Sequence, residues 1–324
     1  MTRPEDLTSM GVVTPTTQVT APTASAASTV PTAPAGTAAP GLDEAVLVAD
    51  AAARSAGVTV REVGDLDELG DVVDLFATIW GRGANPPVTL ELLRAFTKAG
   101  NYVGGAFDGD RLVGACVGFF HAPADDALHS HIAGVAPSAT GRSVGFALKL
   151  HQRSWALLRG VSQIAWTFDP LVRRNAHFNL VKLGTVPVEY LPNFYGAMPD
   201  QINGGDDTDR LLVRWPLRDP AVLAACAGAG SRPTVGPDAV VALDVGSDGL
   251  PVLGLLDATA STTVVQVPRD VETLRRTDPA AAQQWRTAVR EVLTTLVADG
   301  ARIVGLDATH GYVLHRTDPR GDLS

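Results

Sequence analysis

Cysteine is scarce: the 324 residues contain only Cys116 and Cys226. Two thiols cannot build a disulfide framework and show no metal-ligand spacing, so the expected setting is a reducing cytoplasm, with no metal. Long apolar runs are missing too. No stretch approaches the roughly 18 residues a membrane-spanning helix needs, so no membrane partner is expected. Positive charge is short, with 26 Lys and Arg against 35 Asp and Glu and a net charge of −9. That balance excludes nucleic acid as the main partner, because phosphate neutralisation needs a basic surface. The opening residues MTRPEDLTSMGVV hold acidic side chains and no long apolar core, unlike a secretory signal. The sequence also has no G-x-G-x-x-G triplet, which a dinucleotide-binding β-α-β unit requires, and no internal repeat.

What is present is divided by composition. From Thr14 to Gly41 the chain is almost entirely Ala, Thr, Pro, Ser and Gly, too little large apolar surface to offset the entropy of ordering it. Residues 1–42 therefore read as a disordered tail. Periodic sequence begins near Leu47 and strengthens at Val58. A second shift, ACAGAGSRPTVGPDA at 225–239, reads as a linker or long loop. The ordered part is expected as a larger domain over 43–218 and an accessory α/β segment over 219–324.

In the larger domain the signals alternate. Val58 to Val63 has strand periodicity, and residues 65–80 place Leu69, Val72, Val73, Phe76, Ile79 and Trp80 at helical spacing. Thr89 caps a second helix, and two strands joined through Gly109 and Asp110 form a hairpin. A third strand, LHSHIAGV, leads into 133–149, AGVAPSATGRSVGFALK. The expected class is α/β (α+β mixed sheet) with helices on both faces.

That last segment carries the first chemical signal. Val144, Leu148, Trp155 and Leu158 form one stripe of a helix, which puts Gly145 in its first turn. The amides there lack intrahelical partners, and the helix dipole adds roughly half a positive charge. A glycine removes the side chain that keeps an anion away. Close packing of helix on strand is the alternative use of Gly145. Residues 142–182 hold seven Lys or Arg and one acid, whereas residues 43–80 hold nine acids and two arginines. Basic character thus gathers where a phosphate-bearing cosubstrate needs it.

Arg142, Ser143, Val144, Gly145, Phe146 and Ala147, after a strand ending at Val135, resemble the R/Q-x-x-G-x-G/A motif of the GNAT acyltransferase superfamily. RRNAHFNLVKLG resembles that family's second motif, with Asn175 near the helix start and Leu183-Gly184 at its end. The resemblance covers about residues 58–217. It implies a GNAT-like acyl-CoA-binding fold, followed by the smaller C-terminal β-α-β-β segment. The motif residues and Asn175 hold the acyl-CoA pyrophosphate, and the strand at Ala133 and Val135 splays from SQIAWTFDP to admit the pantetheine arm. The implied activity is transfer of an acyl group, expected to be acetyl from acetyl-CoA, to a primary amine of a small molecule. One departure stands out: Leu180 occupies the position of a tyrosine that protonates the leaving thiolate in many members. It leaves open the alternative of a non-catalytic module that holds acyl-CoA as a regulatory ligand.

An amine must lose its proton to attack a thioester, which calls for a base titrating near neutrality. Strand alternation sets His129, His131 and Ala133 on one face, and His131 is the expected base, with Glu189 and Asp169 as rivals. Tyr195 and Tyr190 are the nearest hydroxyls able to take over from the missing tyrosine, with packing aromatics as the bland reading. The C-terminal segment, with Asp278 and Pro279 opening a long helix, shows no catalytic motif. A degenerate second acyltransferase half, a lid over the acceptor pocket and a homodimer surface are its open uses.

Overall fold

The computed structural model describes residues 41–81, 85–196 and 206–316. The expected tail over 1–42 lies outside these residues except for Gly41 and Leu42. Residues 39–324 form one compact unit.

The first described element is α1 (Leu42–Ser55), which spans the weak periodicity near Leu47 and is not among the expected helices. Its fully buried stripe is Ala45, Ala49 and Ala53, flanked by the half-buried Leu42 and Val48, so it packs closely along a later helix. β1 (Thr59–Glu62), α2 (Leu66–Trp80) and α3 (Leu90–Lys98) follow. The Asp65 and Thr89 side chains accept from the amides of Asp67 and Leu92, so both helices start at capped ends. β2 (Tyr102–Asp108) and β3 (Arg111–Phe120) form the expected hairpin. β4 (Ala127–Val135), α4 (Val144–Leu158), β5 (Gln163–Phe168), α5 (Arg173–Ala176), a π-helical turn over His177–Lys182, β6 (Val186–Leu191), β7 (Arg210–Pro216) and α6 (Pro220–Cys226) complete the first half.

The first seven strands make a mixed sheet in the order β1-β2-β3-β4-β5-β7-β6, parallel only between β4 and β5. α1 and α4 cover one face, with Leu148, Trp155 and Trp166 in the core; α2 and α3 cover the other over Val103, Ala115 and Val117. The expected mixed α/β class with helices on both faces is what the chain adopts. Leu158 departs from the predicted stripe: it is 59% exposed at the end of α4.

The second sheet has the order β11-β12-β10-β8-β9. It comprises β8 (Val240–Val245), β9 (Pro251–Leu253), β10 (Thr262–Val265), β11 (Arg302–Asp307) and β12 (Gly311–His315). Between β10 and β11 run α7 (Val271–Thr277) and α8 (Pro279–Ala298). Asp278 caps α8 by accepting from the Ala281 amide, with Pro279 at the first helical position. Trp285, Val289, Val292 and Leu296 bury the inner face of α8. No helix among the described residues is long and apolar enough to cross a membrane.

The halves are joined by buried charge. Asp169, at the end of β5, takes Arg286 Nη1 and Nη2 at 2.9 Å each and Arg275 Nη2 at 2.6 Å. Asp206 meets the same two arginines at 3.0 and 2.8 Å. The Tyr312 hydroxyl donates to the Pro170 carbonyl at 2.8 Å. Breaking such a buried pair leaves an uncompensated charge, so the accessory segment is fixed to the first half.

Candidate acyl-CoA site

The site begins where β4 and β5 part. They pair only at Ala127, Leu128 and His129, against Gln163, Ile164 and Ala165. β4 then continues to Val135 and β5 to Phe168 without further pairing, so the β4 edge from Ser130 onward faces open space rather than a strand. Unpaired strand amides and carbonyls need partners.

A bulge in β4 shapes the gap. Gly118 pairs with Ser130 and Val117 with Ile132, so His131 is the extra residue. Alternation therefore changes phase. His129 and His131 stay near one another, 6.1 Å between ring centres, and both lie against Phe119. Ala133 pairs with Cys116, which lies in the α4-side core, so the predicted common face of His131 and Ala133 is corrected by the bulge. Gly134 sits opposite the end of α2, where an added Cβ would lie 2.7 Å from Ile79 and 3.0 Å from Trp80. Only glycine lets α2 close over the strand there.

After Val135 the chain turns through Gly141 and Ser143, both in left-handed backbone, φ 84° and 65°. A serine there costs on the order of 1 kcal/mol, a conformation that points to a function for the loop. Phe146 and Ala147 amides donate to the Ser143 carbonyl, which starts α4. The amides of Gly141, Ser143, Val144 and Gly145 have no partner among the described residues. No acid occupies the first turn of α4. Successive free amides at a helix start form an anion-binding concavity.

These groups line a cavity of about 820 Å³, bounded by Val135, Ser143, Gly145, Asn175, Phe178 and Arg269 among others. Arg173, Arg174, Lys182 and Arg269 line it and no Asp or Glu does. Gly145 opens onto it: an added Cβ would touch only Val135, at 3.7 Å. Val144 and Phe146 also line the cavity; Ala147 lies beneath it, fully buried. Arg142 does not join them. Its guanidinium reaches Asp108 at 2.7 Å and the Ala56 and Gly57 carbonyls at 3.2 and 3.0 Å, so it staples the loop to the end of α1 and β2. The Arg142 side chain is thus placed on these partners and not in the cavity wall.

A second cavity of about 560 Å³ shares Val135, Arg174 and Asn175 with the first and runs along the splayed strands. His131, Ala133 and Tyr195 line it. His131 is exposed to the cleft, and desolvation by the surrounding protein lowers its pKa below the ordinary histidine value. His129 is pushed down to about 4, by burial first and then by its histidine neighbours. The Tyr195 hydroxyl meets Thr167 Oγ1 at 3.3 Å.

The remaining candidates are held elsewhere. Glu189 lies in a separate groove between β6 and the α8–β11 corner, with Val188, Leu293 and Val304, so the structure does not bring it to His131. Strand periodicity in β6 carries no sign of which cleft that edge borders. Asp169 lines the His131 cleft, but Arg286 and Arg275 outweigh its burial and hold its carboxyl far below the usual range, so it cannot accept a proton near neutrality. The Tyr190 hydroxyl donates to Asp209 at 2.7 Å, and burial followed by that carboxylate raises its pKa strongly. Leu180 is buried in the π-helical turn. Lys182 belongs to the basic cluster counted in the sequence, whereas Arg269 lies outside it and joins the same cavity wall only through the fold.

The sequence matches no family profile and no curated protein. Among solved structures, it is similar to the ribosomal-protein-S18-alanine N-acetyltransferase from Escherichia coli, at 12% identity over 49% of this chain and 94% of that one, TM-score 0.41. It is also similar to an acetyltransferase of the GNAT family from Streptococcus pneumoniae, at 14% identity over 48% and 97%, TM-score 0.41. A third is a GNAT superfamily phosphinothricin acetyltransferase from Sinorhizobium meliloti in complex with AcCoA, at 16% identity over 49% and 88%, TM-score 0.42.

Proposed function

We propose that the chain is an acyl-CoA-dependent N-acyltransferase that moves an acetyl group to a primary amine of a small molecule. One observation carries this reading: a strand edge left open beside β5 leads directly to four unpartnered amides at the start of α4, in a cavity lined by cations and no acids. A long ligand with an amide-bearing arm and a phosphorylated end suits both parts. The resemblance of Arg142 to Ala147 and of RRNAHFNLVKLG to the two GNAT motifs points the same way.

In this reading the pyrophosphate sits on the amides of Ser143, Val144 and Gly145, with Asn175 beside it. The thioester lies near Val135 in the shared wall of the two cavities, where a free strand amide stabilises the developing oxyanion. The amine nitrogen attacks the carbonyl carbon and the carbon–sulfur bond breaks. His131, neutral at pH 7, takes the proton from the amine, and Tyr195 is the hydroxyl in the cleft that can return one to the thiolate.

The buried Leu180 favours a second reading, a module that binds acyl-CoA without turnover. Free thiol released from acetyl-CoA, followed against a panel of amino acids, polyamines and aminoglycosides, separates the two. Amine-dependent release supports transfer. Tight binding with no release for any amine supports the module.

A further inference from the structure

Two lining residues of the larger cavity come from the accessory segment's β11–β12 turn and its approach, Leu306 and Ala308, and a third, Arg269, from the loop between β10 and α7. The turn is held in place from the first half, because Arg173 donates to the Asp307 and Ala308 carbonyls. The accessory segment is therefore a built wall of this cavity.

Its charges are not equivalent. Arg174 is neutralised by Glu272, and Arg173 is engaged by the turn carbonyls. Arg269 and Lys182 are exposed and have no hydrogen-bond or ion-pair partner among the described residues. Two free cations thus face a cavity that already has its own anion site at the α4 amides. A pyrophosphate accounts for the amides; the two cations suit a second phosphate carried on the same ligand.

We propose that Arg269, from the accessory segment, and Lys182 recognise the 3′-phosphate of coenzyme A, so that this chain selects coenzyme A over its dephospho form. The inference rests on the acyl-CoA reading above. A phosphate monoester carries close to two charges at neutral pH, and an arginine binds it with two donors. The accessory segment thereby acts as a specificity element for the cosubstrate.

Calorimetric titration of the full chain with coenzyme A and with dephospho-coenzyme A tests it, for the wild type, Arg269→Ala and Lys182→Ala. Both side chains are exposed, and circular dichroism checks that the variants fold. The wild type should bind coenzyme A at least tenfold more tightly than the dephospho form. Arg269→Ala should lose most of that preference by weakening coenzyme A alone, and Lys182→Ala part of it. Equal wild-type affinities, or an Arg269→Ala variant that weakens both ligands alike, overturn the 3′-phosphate assignment while the acyl-CoA reading survives. Failure of the wild type to bind either ligand overturns both.

Discussion

Replacing Gly145 with Glu should make the protein more stable and a worse binder at once. The backbone is not in the left-handed region, and a Cβ meets only Val135 at 3.7 Å, so the side chain enters without strain. An acid in the first turn of a helix that has none is worth about 0.3–1 kcal/mol, and removing a helical glycine adds up to about 1 kcal/mol. The same carboxylate faces the cavity beside the free amides. At about 5 Å and an effective dielectric of about 20, two like unit charges repel by about 3 kcal/mol. Salt roughly halves that, which leaves about 1.4 kcal/mol or more, a tenfold loss of affinity. Calorimetry with acetyl-CoA and chemical denaturation read the two effects separately. A folded Gly145→Glu variant with undiminished affinity refutes the anion site, and one that is destabilised refutes the open geometry.

Three further outcomes are expected. His131→Ala should lower kcat about a hundredfold with little change in acetyl-CoA affinity. Because its pKa is lowered, wild-type activity should fall only below the ordinary histidine range, and an unaltered acid limb in the variant moves the role elsewhere. Arg286→Ala, which leaves Asp169 and Asp206 to Arg275, should cost about 3–5 kcal/mol in denaturant unfolding. Lys149 is buried against Trp166 and burial lowers its pKa to about 8. The unfolded chain then binds more protons than the folded one between about pH 8 and the ordinary lysine value near 10.4, so this group makes stability rise with pH across that window. Lys149→Met should lack that rise and gain most, relative to wild type, below pH 8; parallel pH profiles of unfolding would count against it.

What could be read from the sequence was local. The caps of α3 and α8, the β2–β3 hairpin and the glycine in the first turn of α4 all follow from side chains close in the chain. α1 is not among the expected helices because its fully buried stripe is alanine, which leaves only the weak periodicity near Leu47. The bulge at His131 escaped because period-two alternation gives no warning of an inserted residue, and it moved Ala133 to the other face. Arg142 reads as a site residue from its motif and Asp169 as a rival base, yet both side chains have partners that only folding supplies: Asp108 for one, Arg275 and Arg286 for the other. Arg269 lies outside the motif-bearing region altogether, and only the docking of the accessory segment brings it to the cavity.

Hydrogen exchange with and without acetyl-CoA tests the central claim most directly, because the proposed site consists of backbone amides that lack partners when free. Acetyl-CoA should slow exchange at Ala133 to Val135, at Gly141 to Gly145 and at the start of α5, and leave β6 around Val186 to Glu189 unchanged. Saturating acetyl-CoA that leaves the Gly141, Ser143, Val144 and Gly145 amides as fast as before, or that protects the β6 groove instead, contradicts the account.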